Sequence, residues 1–156
     1  MEFQPVTSAQ KDSILDAAQD AERIKDHATR FMHRLAEVFG EPRFERDWGL
    51  KFALAEDRIT ATFSSIFGLG KGGLRFHSDE NGIFGLYVIE KRFENATGQA
   101  EWAAVWALRV TKDGQIHSGG AIGESVPVRV SLRHRDDDAD AYNVARTIFY
   151  RLGAVE

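Results

Sequence analysis

Alternate positions along the middle of the chain carry its most biased chemistry. Lys51, Arg58, Arg75, His77, Arg109, Arg129 and Arg133 share a parity with Thr60, Thr62, Ser64 and Ser131, opposite apolar neighbours. Residues two apart in a strand point to one face. The pattern therefore predicts a sheet surface bearing six cations and a histidine, with Glu101 the one clear carboxylate of that parity. Such a surface attracts and orients an anionic partner, and an acidic protein surface is the expected one. Sheets that bind single-stranded nucleic acid also display aromatic rings for base stacking. Tyr87 is the only candidate ring, so a phosphate-directed nucleic-acid binder ranks third.

Other groupings offer less chemistry. Gly68-Leu69-Gly70-Lys71-Gly72-Gly73 has the glycines and lysine of a phosphate loop. A phosphate loop, however, continues into a helix with Ser or Thr after the lysine, and here Leu74-Arg75-Phe76-His77 reads as a strand. A flexible hairpin tip is expected instead. His27, His33, His77, His117 and His134 show no metal-ligand spacing, so no metal or cofactor is expected. Asp12, Asp16 and Asp20, like Asp136–Asp140, read as solvated helix-start acids. Ser125 lacks the strand-to-helix elbow of a hydrolase nucleophile. Glu90 and Glu101 sit on neighbouring strands, where two carboxylates of matching parity could share acid–base work. Trp102 and Trp106 read as core. Asn95-Ala96-Thr97 matches a glycosylation sequon but reads as a plain loop.

The elements that position these residues follow from periodicity. Ser8–Phe39 carries a near-heptad seam, with Ile14, Ala21, Ala28 and Leu35 in one row and Ala17, Ile24, Phe31 and Val38 in the other. Thr7 with Gln10 forms a capping box, and Gly40 before Pro42 stops the helix. At 1.5 Å per residue the helix is about 48 Å long, longer than the sheet it covers, so part of it should overhang. Its N-terminal half is alanine-rich, and Ala17, Ala21 and Ile24 are the candidate contacts for a second copy, a possible homodimer.

Period-two alternation runs from Leu50 to about Arg133, punctuated by turns at Glu56-Asp57, Asn81-Gly82 and Asp113-Gly114. Ile83–Ile89 is apolar on both parities, as in a central strand. Asp136–Asp140 then caps a second helix reaching about Leu152. The expected fold is a single α+β domain over 1–156: a long N-terminal helix, an antiparallel meander of about six or seven strands, and a C-terminal helix, both helices on one face.

Composition narrows function by exclusion. The 156 residues contain no cysteine, which removes thiolate catalysis, disulfides and thiolate metal sites. The start shows no signal-peptide pattern, no segment is apolar enough to span a bilayer, and a cytoplasmic protein without membrane contact is expected. Net charge is −4, divided as −3 over residues 1–47, +1 over 48–134 and −2 over 135–156. The basic bias therefore coincides with the strands. The resulting expectation is a small non-catalytic binding or inhibitor-type protein. The alternative is an enzyme or carrier with an apolar cavity between sheet and long helix.

Overall fold

The computed structural model describes residues 5–118, 126–128 and 138–153. The first helix, α1, spans Ser8–Phe39 and opens on the capping box read from sequence. The Thr7 hydroxyl accepts from the Gln10 amide at 3.2 Å, and the Gln10 side chain accepts from the Thr7 amide at 2.9 Å. Two of the orphan amide donors at the helix start are satisfied in this way. Pro42 does more than stop α1. It occupies the first turn of a short second helix, α2 (Pro42–Trp48), where its missing N–H costs nothing. Gly49, at φ 60°, ends α2 in the left-handed conformation that favours glycine.

Seven strands follow in one antiparallel sheet whose spatial order matches chain order. They are β1 (Lys51–Leu54), β2 (Ala61–Ser65), β3 (Gly68–Asp79), β4 (Gly82–Glu94), β5 (Ala100–Val110), β6 (Ile116–Ser118) and β7 (Val126–Val128). The last helix, α3, spans Asp138–Gly153. Both long helices pack on one face of the sheet, giving the α+β meander expected from the sequence.

The core lies between those layers. From α1 come Ile24, Ala28, Phe31, Met32, Leu35 and Val38, and from α3 Val144, Ala145, Ile148 and Leu152. Tyr87, Ile89, Leu108 and Val110 rise from the central strands to meet them. Phe39 stacks on Phe52 at 4.9 Å, and Trp48 of α2 stacks on Phe149 of α3 at 5.0 Å, closing the end of the core.

Three glycines let the layers approach. A Cβ on Gly85 would stand 2.7 Å from Ile24 Cγ2, one on Gly72 would stand 2.6 Å from Tyr87 Cε1, and one on Gly70 would meet Leu152 Cδ2 at 2.6 Å. The glycine-rich stretch is therefore strand rather than a flexible tip, because its bare backbone makes room for bulky partners. The tip of that hairpin is Ile66-Phe67 instead.

The seam of α1 is only partly covered. Ile24 is fully buried, whereas Ile14 and Leu15 are 59% and 60% exposed. Near the last turn that touches the sheet layer, Asp20 reaches Lys112 beyond β5 at 3.8 Å. Of residues 8–19, about 18 Å of helix, all but Ala17 are exposed.

Candidate functional site: the outward sheet face

Strand register sorts the candidate residues onto faces. Lys51 and Ala53 of β1, Thr62 and Ser64 of β2, and Leu69, Lys71, Arg75, His77 and Asp79 of β3 share the face turned away from the helices. Phe84, Leu86, Val88, Glu90 and Arg92 of β4 join them. One irregularity changes the picture on β5. Trp106 pairs with Ile89, but Ala104 pairs with Glu90, so Val105 is an extra residue in a bulge. A one-residue bulge reverses side-chain direction along the rest of a strand. Trp106 and Leu108 accordingly face the helices, while Trp102 and Ala104 face outward with Arg109.

The bulge corrects two expectations. Trp102 is not core; it is 40% exposed on the cationic face. Glu101 is not on that face either; it pairs with Phe93 and accepts from Asn95 Nδ2 at 3.1 Å. Glu90 and Glu101 therefore diverge to opposite faces and form no acid–base pair. Tyr87, the candidate stacking ring, is buried among the helices and donates from Oη to the Ile59 carbonyl at 2.6 Å.

Two cation–ring units frame the face. At one end Lys71 Nζ lies 4.3 Å from the Trp102 ring centroid. At the other, the Arg109 guanidinium lies 3.8 Å from the Phe84 centroid, and His77 stacks beside Phe84 at 5.9 Å. Between them Arg75 is hydrogen-bonded to Glu90, which Lys71 also approaches at 3.4 Å. Arg109 donates to Asp79 at 2.7 Å, and this bond, with a second from the Asn81 amide, holds the Asp79 carboxyl below its ordinary pKa. Strand positions here carry Lys51, Lys71, Arg75, Arg92 and Arg109 against Asp79, Glu90 and Glu94. The face is cationic, but three of those five cations are engaged by its own carboxylates.

Beside Trp102 is a concavity of about 470 Å³. Lys51, Ala53, Thr62, Ser64, Leu69 and Trp102 line it, with Phe52, Phe63 and Gly70 between them. It opens beside outward-facing strand positions. The space between sheet and helices, where an apolar cavity is the alternative expectation, is filled by Tyr87, Phe31, Phe63 and Leu35, none more than 2% exposed.

The remaining candidates are placed as follows. Lys51, Arg75, His77 and Arg109 gather on the outward face, and Lys51 also approaches Glu45 at 3.7 Å. Arg58 lies off that face, in the β1–β2 turn at φ 61°. Asp57 organises this turn: its carboxylate accepts from the Thr60 hydroxyl and from the Ile59 and Thr60 amides, which lowers its pKa. Arg129 and Arg133 lie outside the described residues, as do Ser125, His134, Asp136 and Asp137. Of the self-association set, Ala17 and Ala21 are half-buried on α1, whereas Ile24 is buried in the chain's own core and is not available to a second copy. Among the described residues no three His, Asp or Glu side chains are grouped to hold a metal ion, and no helix is long and apolar enough to cross a membrane.

Lys71, Trp102 and Phe84 are functional candidates that parity counting missed. The signal for Lys71 was its place in a strand rather than a loop. For Trp102 it was the bulge, which no residue type announces. No family model, no curated protein and no solved structure matches the chain.

Proposed function

We propose that the chain is a non-catalytic cytoplasmic binding protein that engages an acidic protein surface through its outward sheet face. The observation that carries this reading is the pair of cation–ring units, Lys71 on Trp102 and Arg109 on Phe84, with Arg75 between them. Charge on a twisted sheet steers an acidic partner, and aromatic surface beside it supplies the desolvated contact that long-range charge alone does not. The concavity beside Trp102 would take an apolar side chain from the same partner.

Binding to immobilised poly-glutamate, titrated against sodium chloride, tests the reading. Lys71→Glu combined with Arg75→Glu should weaken retention at least tenfold while leaving the circular dichroism spectrum unchanged. Equal retention by the parent and the double variant would refute it.

A second reading is favoured by Trp102 and Phe84 being on the cationic side, since they are the rings a single-stranded nucleic acid would stack upon. A fluorescein-labelled oligothymidylate that binds with a steep salt slope, and loses affinity in Trp102→Ala, would favour it over the acidic protein. Self-association through the α1 overhang rests on the exposure of Ile14 and Leu15. Light scattering on Ala17→Glu combined with Ala21→Glu tests it, a monomer in parent and variant alike removing the idea.

A further inference from the structure

Strand β3 runs for 12 residues, but β2 pairs only with its first five, Gly68–Gly72. Beyond Gly72 the strand continues to Asp79 with β4 on one side, and among the described residues no strand lies on the other. The direction of its backbone groups follows from the turn. Asp79 and Gly82 flank the two-residue turn Glu80-Asn81, and a pair closing such a turn exchanges hydrogen bonds. Alternation then turns His77, Arg75 and Gly73 toward β4, and Ser78, Phe76 and Leu74 away from it. Gly72, Gly70 and Gly68 use that same side to pair with Ala61, Phe63 and Ser65. Leu74–Ser78 is thus a continuation of a ladder already in use, about 17 Å long at 3.4 Å per residue.

Among the described residues this edge lacks the usual protections. It contains no proline, and no bulge interrupts its register with β4. Arg75, the one formal charge at 74–78, is held across to β4 by Glu90 rather than laid over the edge. The sheet's other described edge near the site, β1, is only four residues long, as protected edges tend to be.

We propose that Leu74–Ser78 accepts an extended peptide segment of a partner as an added strand beside β3. The side chains on the edge specify the peptide. On the helix side Leu74 is partly buried and Phe76 is 39% exposed. On the outward side stand Arg75 and His77, with the Arg109–Asp79 pair beyond them. An added strand places alternate residues against each face. It is therefore a segment alternating apolar and acidic residues, its backbone held by the edge and its carboxylates by the cationic face. The acidic preference rests on the function proposed above; the backbone pairing does not.

The probe is a fluorescein-labelled octapeptide of alternating valine and glutamate, titrated with the full chain and read by polarisation. Phe76→Pro removes an N–H that points away from β4, so the β3–β4 ladder stays intact while an added strand loses its donor. Phe76→Val removes the ring but keeps that donor. Binding weakened at least tenfold in F76P and within threefold of the parent in F76V supports strand addition. Equal binding by the two variants, or no binding at 1 mM probe, overturns it. Should F76P fail to fold, Ser78→Pro, at another position whose N–H points away from β4, carries the same comparison against Ser78→Val. Loss in Lys71→Glu/Arg75→Glu with F76P unaffected would leave the cationic face standing and remove the added strand. A parent dimer that F76P converts to monomer would assign the edge to a second copy instead, also overturning the proposal.

Discussion

Lys71 and Trp102 come from β3 and β5, strands separated by β4, yet the ammonium sits 4.3 Å from the indole centroid on the outward face. Only the bulge at Val105 allows this contact. With unbroken alternation Trp102 would share the direction of Trp106 and Leu108 and would enter the core.

That placement separates two residues of like appearance in sequence. Trp102→Ala should cost about 1 kcal/mol or less, because it removes a half-exposed ring and an exposed cation–π contact. Leu108, 0% exposed, should cost about 2–5 kcal/mol on truncation to Ala, through lost transfer energy and the cavity left behind. Urea denaturation of the two variants makes the comparison. Equal losses would mean that Trp102 is buried and the bulge absent.

Glu90 occupies Lys71 and Arg75 together. An acidic partner must compete with that carboxylate for both cations. Glu90→Gln should therefore strengthen binding of poly-glutamate about threefold or more at low ionic strength, with the gain fading as salt screens the face. Unchanged affinity would show that the pair is not displaced on binding.

Much of the fold was legible because long elements repeat their signals. Thr7 with Gln10, the seam through Ile24 and Phe31, and the turns at Asn81-Gly82 and Asp113-Gly114 each state local geometry in residue types. The site was harder to read. Parity counting assumes unbroken strands, and Val105 breaks one without a glycine or proline to mark it, so parity places Trp102 and Glu101 on the wrong faces. Lys71 was hidden among glycines that look like a loop. Gly70 and Gly72 are there because Leu152 and Tyr87 press against the strand, a long-range packing demand that no local pattern records. The acids that temper the face, Glu90 and Asp79, were missed because cross-strand diagonals depend on register.

Gly85 leaves room for α1 to pack against the sheet. A methyl group there would meet Ile24 Cγ2 at 2.7 Å and Leu74 Cδ1 at 2.9 Å. Gly85→Ala should destabilise by about 1–3 kcal/mol, the usual cost of overfilling a packed core. Gly73→Ala, on the adjacent strand with nothing within 4 Å of the new carbon, is the control and should be near neutral. Adding Ile24→Ala, which removes the Cγ2 that the new methyl would meet, to Gly85→Ala should relieve part of the crowding, so that the double variant is more stable than the sum of the single changes implies. Strict additivity, measured by chemical denaturation, would show that the crowding lies elsewhere.

Tyr87 makes the stability of the fold depend on alkaline pH. Burial, together with the negative charge of Asp57, pushes its phenol well above the ordinary value of 10.0. The unfolded chain loses that proton near pH 10 while the folded chain keeps it, so above about pH 10 the unfolded state binds fewer protons. Stability must then fall as pH rises, by up to about 1.4 kcal/mol per pH unit from this one group. Tyr87→Phe removes the titration together with the Oη bond to the Ile59 carbonyl, a bond worth about 1 kcal/mol. Near pH 7 the variant should therefore be the less stable protein, and the gap should narrow and then reverse as pH climbs past 10. Lysines titrate in the same range in both proteins, so the quantity to follow is the difference between the two denaturation curves. A difference that stays constant from pH 7 to pH 11 would mean that Tyr87 ionises freely, which its burial between Gly72 and the β1–β2 turn does not allow.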